Sequence, residues 1–310
     1  DPGLAQGSKD TYESQLRTLL MPTFEHFTLR EITVARVERF LKTQAAKSHS
    51  KAKHSKGTLN MVMRYAMRCG AIPRNPVDAT TRLRASANEP KALTPAELEA
   101  IRRAAREWRT GASLPGPKPD GQVRDLIEVM LGTSTRIGEA LALRKGDVDV
   151  TTSPAIVRIA GTIVVPRGKG VHRQPFPKTH KSKRTVAVPQ FAAEVIRHRL
   201  SAIPDADAEH LLFFTKGGKP LTPYNARRTF RQILQLAGLE GRGVKPHSLR
   251  KTAATLLAKE AGDKTAADML GHADTRTTRR HYIEREDQPN PLTAEILEKL
   301  APGHPKPAGK

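Results

Sequence analysis

The sequence predicts a mainly α-helical protein in two domains, with a small antiparallel β-sheet in the second. Three observations carry this: apolar residues at helical spacing over most of the chain, one stretch from Ile156 to Val188 rich in β-branched residues, and a loss of periodicity near Pro90. From Thr11 to about Pro76 the apolar residues recur on helix faces: Leu16, Leu19 and Leu20, then Val34, Val37 and Leu41, then Leu59, Met61, Val62 and Met67. Cys69 reads as a core residue of the last of these helices. Ala85 to Lys91 lacks periodicity and leads to a new helix start, Thr94-Pro95-Ala96-Glu97, with a hydroxyl N-cap, Pro at N1 and Glu at N3. The predicted division is a helical domain over 1–88, a linker over 89–92, a second domain over 93–288 and a tail over 289–310.

In the second domain a helix ends near Trp108 and is followed by a surface loop rich in Gly and Pro, Gly111 to Gly121. Helical pattern resumes from Gln122 to Leu143. Three extended segments follow, Ile156 to Val165, Val171 to Phe176 and Arg184 to Val188, and make the sheet. From Glu194 helices return, with breaks at Ala202 to Glu209, Lys216 to Pro220 and Leu239 to Pro246. The tail carries a short amphipathic piece, Ala294 to Leu300.

Charge narrows the partner. Across 310 residues, 53 Lys plus Arg face 31 Asp plus Glu, a net charge of +22, and such a surplus points to a polyanion. No run of roughly 18 apolar residues exists to span a membrane, and the basic residues are too dispersed for a membrane-surface anchor. With 8 Phe, 4 Tyr and 1 Trp there are few stacking platforms for single strands, which favours duplex DNA. One cysteine allows no intrachain disulfide and fits a reducing cytoplasm. The chain opens on Asp1 without an initiator Met or a signal-like segment, and reads as a fragment that an N-terminal part can precede.

Two stretches concentrate the charge. Arg39 to Val77 holds nine Lys or Arg and Val150 to Ala193 holds eight, neither with an acidic residue. A solvated helix face is the bland explanation, and the complete lack of counter-charge favours phosphate contact. Lys51, Lys53, Lys56 and Arg64 are the candidates from the first stretch, and Lys169, Arg173, Lys181, Lys183 and Arg184 from the second.

Phosphate-loop, zinc-hydrolase, serine-elbow and Cys-x-x-Cys signatures are all missing, so neither cofactor nor metal is expected. What remains is a set of short motifs. Arg136-Ile137-Gly138-Glu139 places Arg136 and Glu139 on one face of an apolar helix, and His247-Ser248-Leu249-Arg250 repeats the one-turn spacing. Each alone would be an ordinary structural pair. Leu270-Gly271-His272 follows, with Tyr282 ten residues beyond His272. This order, together with Pro177-Lys178-Thr179-x-x-Ser182-x-Arg184, resembles the tyrosine recombinase family, the integrases of phages and integrative elements. The resemblance covers nearly the whole chain, and departs from the family in Lys251, where His is frequent, and in the Gly111 to Gly121 loop.

The chemistry suits these residue types. Two guanidiniums, Arg136 and Arg250, can bind the non-bridging oxygens of a phosphorane-like transition state. Tyr282 is the candidate nucleophile and needs nearby positive charge and a proton acceptor, a role the resemblance assigns to His247. Lys178 stands at the family's general-acid position, with Lys181 and Lys183 as competitors. His272 is expected on a phosphate oxygen and Glu139 behind the basic groups. An aromatic core role for Tyr282, or importance of His281 instead, is the blander reading of that turn. The resemblance implies a two-domain DNA clamp, metal- and ATP-independent strand breakage and rejoining through a 3′-phosphotyrosyl link, and a homotetramer on double-stranded attachment or core sites. The Ala294 to Leu300 piece would then pack on a neighbouring protomer, and accessory DNA-bending or excision factors are further partners. Topoisomerase-like nicking and religation, or a non-catalytic DNA-binding regulator, are the rival functions.

Overall fold

The computed structural model describes residues 4, 6–84, 92–110, 119–177, 182–271 and 275. The predicted linker stretch Ala85 to Lys91, most of the Gly111 to Gly121 loop and the tail helix at Ala294 to Leu300 lie outside these residues. The chain divides into two compact units, Asp1–Asn88 with Val164–His172, and Glu89–Ile163 with Arg173–Lys310.

The first unit is helical. Helix α1 (Gln6–Gln15) passes through a π turn at Leu16–Leu20 into α2 (Met21–Phe24), followed by α3 (Val34–Lys47) and α4 (His49–Arg68). Thr33 starts α3 by accepting the Arg36 N–H at 3.4 Å, and extended Ser48 alone separates α3 from α4. Val37, Phe40 and Leu41 of α3 pack with Leu59, Met63 and Ala66 of α4, closed by Leu20, Phe24, Ile32, Ile72 and Val77. Phe24 meets Phe40 edge to face with ring centres 4.9 Å apart. Leu59, Met63 and Ala66 repeat at four and three residues, and that stripe is the buried one. Met61 and Met67 fall off it and are exposed, as is Leu16 in the π turn. Cys69 is exposed as well, contrary to its predicted core position, because α4 stops at Arg68 and Cys69 is its C-cap.

The second unit is built around α6 (Gln122–Thr133), which follows α5 (Pro95–Glu107). The predicted Thr94–Glu97 capping box is formed, with reciprocal bonds of 2.9 and 3.2 Å. Leu126, Ile127, Val129 and Met130 bury α6 among its neighbours. At Gly132 a Cβ would stand 2.5 Å from the Ala192 Cβ, so only glycine lets α6 lie this close to α8 (Gln190–Ser201). The helical pattern predicted without a break from Gln122 to Leu143 is divided. Ser134 takes the left-handed conformation at φ 51°, and a separate short helix, α7 (Ile137–Ala140), begins after it.

Strands β1 (Val148–Asp149), β2 (Ala155–Ile159) and β5 (Arg184–Val188) form an antiparallel sheet in the order β1-β2-β5, with Val157 opposite Val186 and Ile159 opposite Arg184. Strands β3 (Thr162–Val164) and β4 (His172–Gln174) pair separately. The single extended run expected from Ile156 to Val165 is therefore interrupted. At the interruption lies Gly161, where a Cβ would come within 2.6 Å of the Arg173 guanidinium carbon. Helix α8 starts at Gln190, earlier than predicted, and α9 (Pro223–Leu236) and α10 (Pro246–Leu270) complete the unit. Helix α10 is broken at Gly262, whose φ of 83° is closed to most side chains. Among the described residues no helix is long and apolar enough to cross a membrane.

Candidate active site

The site grows from the corner between α6 and α7. With Ser134 left-handed, Arg136 emerges extended as the N-cap of α7 and Glu139 falls at N3. The Arg136 backbone N–H donates to Glu139 Oε2 at 3.0 Å, and its Nη1 donates to Oε1 at 2.7 Å. The predicted spacing of three residues thus brings the pair together as cap and third residue, rather than as two positions on one helix face.

Two more guanidiniums reach Glu139 from distant segments. Arg184 at the start of β5 donates Nη2 to Oε2 at 3.2 Å, and Arg250 of α10 lies 3.9 Å from the same oxygen. Arg250 also donates Nη1 to the Ser134 carbonyl and Nη2 to the Leu270 carbonyl at 2.8 Å. Glu139 is 2 % exposed, Arg250 0 %, Arg184 6 % and Arg136 33 %, so Arg136 is the one of these three cations that faces solvent appreciably. Burial by itself pushes the Glu139 carboxyl up, but Arg184, Arg136 and Arg250 together outweigh it and hold the group ionised below its ordinary value.

His247 stands in the first turn of α10, three residues before Arg250. Although the residue is open to solvent on one side, partial burial of the ring, then the charges of Arg250, Lys251 and Arg136, push its pKa down to about 4 against the opposing pull of Glu139. Its place at the helix N-terminus acts in the same direction. The imidazole is neutral at neutral pH and can accept a hydrogen bond.

Arg136, Glu139, His247 and Arg250 are therefore brought to one place. Lys178, Lys181, His272 and Tyr282 lie outside the described residues. The residues predicted to touch DNA separate into two groups. Lys51, Lys53, Arg64, Lys169 and Lys183 are exposed, Arg64 with Asp78 at 3.5 Å, while Lys56 turns its ammonium onto the carbonyls of Thr80 and Thr81 at 3.3 and 3.0 Å. Arg173 and Arg184 are corrections. Arg173 is spent on the Ala142 carbonyl at 2.9 Å and on Asp147 at 3.3 Å, and Arg184 on Glu139 and three carbonyls. The sequence contained a signal for Arg184: on a strand it shares a face with Val186 and Val188, both buried.

The fold is that of integrases solved on DNA. The Tn1549 transposon integrase, in complex with a circular intermediate DNA, superposes with a TM-score of 0.76 at 19% identity, covering 96% of this chain and 95% of that one. A lambda integrase tetramer bound to a Holliday junction gives 0.66 at 21% identity, covering 93% and 76%. The chain belongs to the phage integrase family: the family's model matches residues 91–288, and the model of the phage integrase central domain matches residues 1–83. An integrase of Streptomyces ambofaciens is 31% identical over 82% of this chain, and the chain spans 65% of that protein's length.

Proposed function

We propose that this protein is a site-specific DNA recombinase that integrates or excises a mobile element by cleaving and rejoining duplex DNA. The observation that carries the reading is the convergence of Arg136 and Arg250, from separate motifs, on one buried carboxylate with neutral His247 beside them. In this reading the Tyr282 oxygen attacks the scissile phosphorus and passes its proton to His247. The bond from phosphorus to the 5′ oxygen breaks, and Lys178 protonates that oxygen. A 3′-phosphotyrosyl ester and a free 5′ hydroxyl result. Arg136 offers its guanidinium directly to a non-bridging oxygen, with His272 as a second donor. Arg250, 0 % exposed, contributes its positive charge from beneath. The phosphate's negative charge raises the basicity of His247 when DNA is bound.

The ester conserves the energy of the broken bond, so rejoining requires no ATP, and guanidiniums and ammonium supply the charge that a metal would otherwise supply. Assembly as a tetramer on two DNA sites follows the lambda integrase tetramer bound to a Holliday junction, with residues 1–88 and 93–288 both contacting the duplex. The predicted location is the cytoplasm, on the nucleoid. The test is to incubate the protein with nicked duplexes from its source DNA, with EDTA and without ATP, and to sequence the 3′ ends left on protein after denaturation. Adducts at one sequence that vanish in Tyr282→Phe are expected. Adducts that persist in that variant would refute the nucleophile, and DNA binding without adducts would refute the reaction.

A further inference from the structure

We infer that Arg184 is a positioning residue of this site, the guanidinium that ties the Ser134–Glu139 corner, which carries Arg136, to the end of α10 beside Arg250. The inference rests on the function proposed above and concerns a residue that the sequence presents as a phosphate contact and the structure turns inward.

The four last carbonyls of α10 show how the corner is held. A helix leaves its final carbonyls without intrahelical donors. Here the Gly271 N–H caps those of Ala267 and Asp268, Arg184 Nε takes that of Met269 at 2.8 Å, and Arg250 Nη2 takes that of Leu270 at 2.8 Å. At its other edge each arginine reaches the same two acceptors, the Ser134 carbonyl and Glu139 Oε2. For Arg184 these distances are 3.4 and 3.2 Å. The two guanidiniums are thus parallel ties between the Ser134–Glu139 corner, which carries Arg136, and the end of α10, which leads into Leu270-Gly271-His272. A third bond, Nη1 to the Ser182 carbonyl at 3.1 Å, fixes Arg184 to its own strand.

Gly271 is fitted to this tie. It is left-handed at φ 65°, and a Cβ there would lie 3.0 Å from the Arg184 Cδ, so the turn and the arginine stem occupy adjoining space. Glu139 also orients Arg136 through two bonds, and Arg184 is the first of the cations that keep Glu139 ionised. Without Arg184, Glu139 would lose one of its three cations and pull harder on Arg136, and the Met269 carbonyl would lose its donor. Lysine keeps the charge but cannot span four acceptors, because the planar fork of the guanidinium is what reaches them together.

The experiment measures adduct formation by wild type, R184K and R184Q on two nicked substrates. One carries an ordinary scissile phosphate. The other carries a methylphosphonate, in which a charged non-bridging oxygen is replaced by a neutral methyl. R184K is expected to bind duplex DNA within about twofold of wild type, since it removes no phosphate contact. Its cleavage of the ordinary phosphate should fall about 100-fold, the scale of one lost preorganised donor. On methylphosphonate the deficit should shrink to about fivefold or less, because less charge then needs to be met. Where R184K melts far below wild type, R184Q, which leaves Glu139 in place, is read on the same two substrates with the same expected pattern. Equal deficits on the two substrates, or R184K cleaving like wild type, would overturn the inference while leaving the recombinase reading intact. A wild type that binds but forms no adduct would overturn both.

Discussion

Two buried carboxylates in the second unit each gather three guanidiniums, and they do so with the same local device. Arg136 and Glu139 are N-cap and third residue of one short helix, and Arg144 and Asp147 are N-cap and third residue of the next helical turn. Asp147, 1 % exposed, takes Arg144 at 2.9 Å, Arg158 at 3.2 Å and Arg173 at 3.3 Å, and Arg144 also pairs with Glu209. All three cations of Asp147 come from the neighbouring turn and strands. For Glu139 only Arg136 is local, and the other two cations come from β5 and α10, remote stretches that carry motifs of their own. An Arg-x-x-acid spacing therefore identifies nothing by itself; the origin of the other two cations distinguishes a fold-holding cluster from a candidate catalytic one.

The largest effects separate the two clusters by what is lost. Glu139→Ala and Asp147→Ala each strand buried guanidiniums and should cost about 3–5 kcal/mol in denaturant melts. Only Glu139→Ala should also slow adduct formation per folded molecule. If Asp147→Ala slowed it equally, the two clusters would not differ in kind. Next in size, Arg136→Ala should reduce cleavage about 10²–10³-fold with little change in melting, since its side chain is 33 % exposed. Arg144→Ala, from a side chain 14 % exposed, should show the reverse.

Acid provides a smaller and sharper comparison. His247 is pushed from 6.5 to about 4, so between those values the unfolded chain binds a proton that the native protein refuses, and stability falls as pH drops through that window. Both carboxylates lie below their ordinary values. Burial opposes this in each, and the arginines outweigh it. The stability they add is present above those ordinary values, and it is lost only as pH falls through the lowered ones. Melts from pH 7.5 to 4 should therefore decline first through His247. His247→Gln should flatten the slope, and an NMR midpoint near 6.5 for this ring would contradict the burial argument.

The smallest effect tests the charge outside both clusters. Lys169→Ala should lower the slope of log binding constant against log salt by about 0.9, because Lys169 is exposed. Arg173→Ala should leave the slope unchanged, because that guanidinium is committed to Ala142 and Asp147.

Much of this was legible in the chain. The helical class, the place of the strands, the basic surplus and the order Arg136, Glu139, His247, Arg250 depend on spacing and composition, which local physics converts directly into faces, caps and charge. Misreadings arose where a residue's type leaves its direction open. Cys69 is apolar and lies one position past its helix; Arg173 and Arg184 are cationic and turn inward. Ser134 breaks a pattern that reads as continuous helix, because its left-handed turn is sustained by a carbonyl that Arg250 and Arg184 both reach.

The sequence by itself determined the fold class, the surplus of positive charge and the motif residues, since each follows from periodicity, composition or short-range order. Only the tertiary structure decided which arginines face the solvent and which tie the corner together. That choice depends on acceptors that α7, β5 and the end of α10 supply jointly, from parts of the chain too far apart for any local pattern to record.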